Sequence, residues 1–140
     1  MSRTLALDVG ERRIGVALSD PTGVVANALE VIERRGWAVD LRRIQGMVQA
    51  HAVTRVVVGY PLTLAGEVGV QAQRVDRFIA RLREALNVEV LPWDERLTTV
   101  QAERALLEAD VRRRRRREVR DAVAAALLLQ GYLDRHRASW

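Results

Sequence analysis

The sequence predicts an α/β domain built on a mixed five-stranded sheet with helices on both faces. Two observations lead to this fold class. Three strand-like segments come first in the chain, and helix-like and strand-like segments then alternate, in the order β-β-β-α-β-α-β-α. The run Val56-Val57-Val58 is β-branched and lacks polar alternation, which is typical of a strand buried on both faces.

The first three strands come from the amino-terminal quarter of the chain. The apolar runs Leu5–Leu7 and Ile14–Leu18 flank Gly10, and this spacing predicts a hairpin whose turn contains that glycine. A third strand is predicted from Val24 to Glu33, after the turn-forming residues Pro21-Thr22-Gly23. Its expected core residues are Val24, Val31 and Ile32.

Helices and strands alternate through the rest of the chain. Apolar residues recur at helical spacing between Val39 and Ala50 and again between Val70 and Leu86. The buried run at 56–58 lies between these helices, and a fifth strand is predicted over Val88–Leu91. A capping box at Thr98–Gln101 predicts a helix as far as about Ala109, and the last helix is expected from about 116 to 135.

Length and composition restrict the class of protein. The chain has 140 residues and 15.8 kDa, which predicts a single domain over residues 1–140. The absence of cysteine excludes disulfides and thiolate metal sites. The longest strictly apolar run has eight residues, and Asp8 comes too early for the apolar core of a signal peptide. We therefore expect a cytoplasmic protein with no membrane partner.

The basic charge is concentrated in one segment. All 23 basic residues are arginine, and the chain has 18 acidic residues. When one run of six arginines is set aside, the remaining 17 are fewer than the acidic residues. That run is Arg112, Arg113, Arg114, Arg115, Arg116 and Arg117. Adjacent guanidinium groups repel one another, and arginine binds phosphate bidentately, so the run favours a polyanionic partner such as nucleic acid. The alternative is a solvated loop.

Carboxylates lie where packing alone would not place them. Asp8 ends the first predicted strand, and Asp94 and Glu95 follow the fifth. Asp121 begins the apolar run of the last helix, 122–129, and shares a stripe with Ala125, Leu128 and Tyr132. Buried carboxylates are costly unless they are paired or bound to a cation. Because the carboxyl ends of parallel strands meet at one sheet edge, these acids are candidates for a shared site.

Such a group of oxygen ligands suits magnesium or manganese. Two such ions flanking a phosphodiester activate a water molecule and stabilise the leaving oxygen. Ordinary structural roles remain open for each acid: Asp8 as a turn residue before Gly10, Asp94 as a loop acid, and Asp121 as the partner of an arginine in the run.

A glycine-rich loop separates the buried strand from the following helix. Gly59 and Gly66 belong to the segment Gly59–Gly69, and such loops present backbone N–H groups to phosphate. The structural alternative is that glycine is common in strand-to-helix turns whatever their function.

Four motifs together resemble the YqgF (RuvX) family. The segment Asp8–Asp20, with the sequence DVGERRIGVALSD, resembles its opening signature. Gly59–Leu62 resembles the second motif, Asp94–Thr99 the third, and 121–133 the closing helix. The second motif departs from the family pattern G-L-P-L-N-x-D-G, since Thr63 and Ala65 replace its Asn and Asp.

The resemblance implies a ribonuclease H-like fold related to the RuvC resolvases. It also implies that Asp8, Glu95 and Asp121 are catalytic metal ligands for Mg²⁺ or Mn²⁺, with two ions expected, and that Arg96 contacts phosphate. Asp94 is a reserve ligand, in case the metal ligand of the adjacent acids Asp94 and Glu95 is Asp94. Glu118 is a second reserve, since it lies three residues before Asp121 on the same helical face.

The leading hypothesis is a metal-dependent nuclease acting on structured nucleic acid. The resemblance leaves two substrates, the 5′ end of precursor 16S rRNA, which we favour, or a Holliday junction. A junction resolvase makes two coordinated cuts and therefore needs a homodimer. A non-catalytic nucleic-acid-binding module is the alternative from another class. An actin-like ATPase is excluded because 140 residues cannot supply its two domains.

Overall fold

A computed structural model of the chain describes residues 3–61, 69–94 and 116–138. Five strands and three helices lie within these ranges. They are β1 (Arg3–Val9), β2 (Arg13–Ser19), β3 (Ala26–Glu33), α1 (Trp37–Ala50), β4 (Val53–Tyr60), α2 (Val70–Ala85), β5 (Glu89–Asp94) and α3 (Arg116–Ala138). The predicted order of elements is confirmed. The helix predicted up to Ala109 lies outside the described residues.

The five strands form one mixed sheet in the order β3-β2-β1-β4-β5. The pairs β1–β2 and β2–β3 are antiparallel, whereas β1–β4 and β4–β5 are parallel. β1 is therefore the central strand, and its carboxyl end lies at the same sheet edge as those of β4 and β5. The mixed sheet predicted from the sequence is confirmed.

The two faces of the sheet differ in side-chain size. Leu7, Val16 and Val58 belong to the large core that packs against α1 and α2. On the opposite face, Ala6 and Ala17 meet α3. Small residues allow a helix to approach a sheet closely, and α3 packs there through the buried residues Ala125, Leu128, Leu129, Tyr132 and Leu133. The predicted stripe containing Ala125, Leu128 and Tyr132 is confirmed.

The prediction that Val24 is a core residue was wrong. Its relative exposure is 38%, and β3 begins only at Ala26. The Asp20 carboxylate accepts hydrogen bonds from the backbone N–H groups of Val24 and Val25, at 2.9 and 3.0 Å. These residues are therefore held in a turn and do not extend the strand. Ile32 is buried as expected, and Val31 is half-buried.

Helix α1, helix α3 and strand β5 each extend past one of their predicted ends. Helix α1 begins at Trp37, two residues earlier, and α3 continues to Ala138. Strand β5 continues through Pro92 to Asp94. Proline is tolerated there because β5 is an edge strand of the described sheet. On its outer side the backbone pairs with no strand of that sheet, so the missing N–H group of proline breaks no inter-strand hydrogen bond. No helix among the described residues is long and apolar enough to cross a membrane.

The turn after β2 generates a prediction about pH. The Thr22 hydroxyl and the backbone N–H groups of Val25 and Val24 donate to Asp20 and lower the pKa of its carboxyl group to about 2. Because this pKa is depressed on folding, the carboxylate stabilises the fold above the unfolded value of 3.8 and loses that effect as the pH falls towards 2. We therefore expect Asp20→Ala to lower the free energy of unfolding at pH 6, with the difference from the unsubstituted protein shrinking between pH 4 and 2. Urea unfolding at a series of pH values measures this, and a difference that does not change with pH would contradict it.

Candidate active site

Asp8 lies near the carboxyl end of the central strand. Side chains alternate along β1, so that Leu7 and Val9 enter the core under α1 and α2 while Ala6 meets α3. Asp8 follows the same alternation and lies on the α3 face, where it is half-buried. Its partner across the antiparallel ladder is Gly15 of β2.

Helix α3 lies in close contact with the sheet at Gly15. A Cβ atom at this position would collide with the carbonyl oxygen of Asp121. The backbone of Asp121 therefore lies directly against the Cα atom of Gly15, and Gly15 is the residue that pairs with Asp8. Two acids that are distant in sequence are brought to one place on the sheet. This is the arrangement that the metal-site hypothesis requires of Asp8 and Asp121.

Arg13 joins these residues at the same face. It lies two positions before Gly15 on β2, and its Nη1 atom is 3.9 Å from Oδ2 of Asp121. The side chains of Arg13 and Asp121 are 28% and 32% exposed, so the ion pair is solvent-accessible and contributes little to stability. Sequence analysis did not select Arg13 for the site. The period-2 alternation that places Gly15 on the α3 face also places Arg13 there.

The reserve ligand Asp94 lies on the other face of the sheet. Its register partner on β4 is Tyr60, which packs against the core under α1 and α2 and whose hydroxyl donates to Asp76 of α2 at 2.9 Å. The preceding residue, Trp93, packs on the α3 face instead. The strand geometry thus separates Asp94 from Asp8.

The remaining predicted site residues are placed as follows. Gly59 is buried in β4, where it pairs with Trp93. Helix α3 begins with Arg116, Arg117 and Glu118, and the structure describes the backbone of these residues but not their side chains. The predicted residues that lie outside the described ranges are Gly66, Glu95, Arg96, Arg112, Arg113, Arg114 and Arg115.

The described acids suit a divalent cation by donor type. Asp8 and Asp121 offer carboxylate oxygens, which magnesium and manganese prefer. Within residues 3–61, 69–94 and 116–138, no group of three or more acidic, histidine or cysteine side chains is close enough to hold an ion. These ranges thus contain two of the three expected ligands, and the third, Glu95, lies outside them.

Comparison with known proteins assigns the chain to a family. The RuvX model, described as Holliday junction resolvase, matches residues 2–135. The chain belongs to the RuvX family. A relative from Desulforudis audaxviator, named "Putative pre-16S rRNA nuclease", is 48% identical over 97% of this chain and 96% of its own length. A Desulforamulus reducens relative with the same name is 46% identical over 94% of this chain and 96% of its own length.

Solved structures show the same fold at low sequence identity. Thermus thermophilus RuvC in complex with a Holliday junction substrate has a TM-score of 0.64 at 15% identity, covering 99% of this chain and 98% of that one. Fowlpox virus resolvase in complex with Holliday junction DNA has a TM-score of 0.58 at 12% identity, covering 96% and 98%. The RuvC-like, ribonuclease H-like fold expected of a RuvX protein is confirmed.

The contact at Gly15 gives a stability prediction with an internal control. Gly15→Ala would force the backbone of α3 away from β2, and we expect it to lower the free energy of unfolding by about 1–3 kcal/mol. Gly46 lies in α1 with open space around it, so Gly46→Ala should raise that free energy by up to about 1 kcal/mol. Denaturant unfolding of both variants measures the difference. Equal effects of the two substitutions would show that α3 does not depend on a glycine at position 15.

Proposed function

We propose that this RuvX protein is a divalent-metal-dependent nuclease that hydrolyses phosphodiester bonds in structured nucleic acid. The observation that carries the proposal is that the backbone of Asp121 lies against Gly15, the register partner of Asp8. An approach of two acids on one sheet face has no evident role in packing, since the side chains that pack between the sheet and α3 are apolar or aromatic. Family membership and the RuvC-like fold support the same chemistry.

Asp8, Asp121 and Glu95 are the residues that would hold the metal. Bound Mg²⁺ or Mn²⁺, as two ions, would supply activation of the attacking water and stabilisation of the leaving oxygen. The carboxylates themselves act only as acceptors when ionised, so they provide the negative charge that retains cations next to a polyanionic substrate.

Arginines orient the substrate in this proposal. The Arg13 guanidinium, 3.9 Å from Asp121 and partly exposed, lies where it can bind a phosphate oxygen beside the carboxylates. The proposal also assigns phosphate contacts to Arg96, as the family resemblance implies, and to the run 112–117, because of its concentrated positive charge. Arginine is suited to this role because its planar fork matches phosphate geometry.

Precursor 16S rRNA is the substrate that we favour. Relatives at 46–48% identity over nearly the whole chain carry the pre-16S rRNA nuclease name. The matches to junction complexes are at 15% identity or less and support the fold. The family description favours a second candidate, a Holliday junction resolvase, which would act as a homodimer. A nucleic-acid-binding module without turnover has no need of Asp8 and Asp121 on the same face of the sheet.

One cleavage assay tests both the chemistry and the substrate. The full chain is incubated with a precursor 16S rRNA fragment, a four-way DNA junction and linear controls, in Mg²⁺, Mn²⁺ or EDTA. We expect metal-dependent cleavage that falls by more than about 100-fold in Asp8→Asn and in Asp121→Asn, because even outer-shell partners of metal ligands cost 10–100-fold. Nucleic-acid binding should persist or tighten, since each substitution removes a negative charge.

The matched control is Asp134→Asn, which makes the same change on the exposed part of α3 and should leave cleavage intact. Preferential cleavage of the RNA supports the rRNA-processing role, and preferential cleavage of the junction transfers the assignment to resolution. Metal-independent cleavage, or equal activity of Asp8→Asn and Asp134→Asn, would contradict the proposed chemistry. Binding without cleavage of any substrate would favour the binding module.

A further inference from the structure

A pocket of about 520 Å³ lies on the sheet face opposite Asp8. It is formed between α1, α2 and the turn that joins β1 to β2. Its charged and aromatic lining consists of Arg34, Arg74, Arg77, Arg81, Glu11 and Trp37. We call this the arginine pocket. Its size is within the range of clefts that hold drug-sized ligands.

The arginine pocket has more positive charge than its carboxylates neutralise. Arg74 forms an ion pair with Glu11, with 2.7 Å between its Nη1 atom and Oε1 of Glu11. Arg34 lies 3.6 Å from Asp40, whose side chain is fully buried in the first turn of α1. Within the described part of the chain, Arg77 and Arg81 form no ion pair with a carboxylate. Among the described residues, two cations of the pocket therefore have no paired carboxylate.

The arrangement of these cations is unfavourable for the helix that carries them. Arg74, Arg77 and Arg81 follow one another at spacings of three and four residues, so they lie along one side of α2. Like charges at these spacings repel one another and destabilise a helix. An anion in the pocket would relieve this repulsion.

Packing holds two of the guanidinium groups in place before any ligand binds. The Arg81 guanidinium lies 4.6 Å from the centroid of the Trp37 ring, and that of Arg34 lies 5.3 Å from it. Arg34 also donates to the carbonyl oxygen of Gly10 at 3.0 Å. Trp37 is fixed by the fully buried Phe78, with ring centroids 5.2 Å apart. Cations that are already ordered lose less side-chain entropy on binding an anion.

We propose that the arginine pocket binds phosphates of a single nucleic-acid strand next to the bond that is cleaved. Arginine pairs bidentately with phosphate, and a strand can enter a cleft that a rigid duplex cannot. Val9 lines the pocket and directly follows Asp8, so the pocket and the carboxylates lie on opposite faces at the same end of β1. A strand that crosses this edge contacts both. The inference rests on the proposed function in taking nucleic acid as the ligand.

The test compares two double variants that remove the same charge. Arg77→Gln/Arg81→Gln acts in the pocket, and Arg42→Gln/Arg135→Gln acts at exposed positions outside it. Binding of a fluorescently labelled single-stranded RNA is measured in EDTA over a range of salt concentrations. We expect the pocket variant to bind on the order of tenfold more weakly, with a salt slope lower by about 1.4, or about 0.7 for each lost phosphate contact. The control variant should change both quantities much less.

Equal losses in the two variants would show an effect of net charge alone and overturn the proposal. Adenosine monophosphate separates a free nucleotide from a strand. If it binds to the unsubstituted protein and not to the pocket variant, while both bind the RNA equally, the strand assignment is overturned. Because EDTA prevents metal-dependent cleavage, the result does not depend on turnover. A protein that fails the cleavage assay and still shows pocket-dependent RNA binding would lose the nuclease assignment and keep the pocket.

Discussion

The contact between the Asp121 carbonyl and the Cα atom of Gly15 is the constraint on which the candidate site depends. Any side chain at position 15 would push α3 away from the sheet. Because Gly15 pairs with Asp8 across the β1–β2 ladder, this contact also sets where the two acids stand relative to each other. The alanines at 6 and 17 extend the shallow surface on which α3 lies. The small residues Ala6, Gly15 and Ala17 therefore allow α3 to pack closely and also determine where Asp121 lies relative to Asp8.

The sheet separates two candidate sites at one edge. Asp8 and Asp121 lie on the α3 face, and the arginine pocket lies on the face of α1 and α2. A guanidinium group that reaches the carboxylates pairs with one of them, as Arg13 does with Asp121, although both remain partly exposed. Arg77 and Arg81 lie across the sheet from Asp8 and Asp121, so in the proposed account they can bind phosphate without pairing with these two acids. Strand β1 lies between the proposed metal site and the proposed phosphate-binding pocket.

Much of the fold could be predicted because local patterns agree with the tertiary structure. The unbroken β-branched run at 56–58 marked a buried strand, and β4 lies between β1 and β5. Local patterns failed where a distant or side-chain contact decides the structure. Asp20 draws Val24 into a turn, and Pro92 is accepted within β5 because that strand is at the edge. Asp8 and Asp121 were identified as candidates, but the packing of the Asp121 backbone against Gly15, the partner of Asp8, is a tertiary contact that no sequence spacing reveals. The arginine pocket was missed because the stripe on α2 reads as a solvated face until Trp37 and Arg34 are placed beside it.

The central claim is that Asp8 and Asp121 belong to one divalent-cation site. Electron paramagnetic resonance measures free Mn²⁺ directly and so gives its affinity for the unsubstituted chain, Asp8→Asn, Asp121→Asn and Asp94→Asn without any substrate. The account predicts that Asp8→Asn and Asp121→Asn each weaken Mn²⁺ binding by at least about tenfold. Asp94→Asn should bind like the unsubstituted chain, because Asp94 lies on the other face of the sheet. Unchanged affinity in the first two variants, or a loss confined to Asp94→Asn, would contradict it.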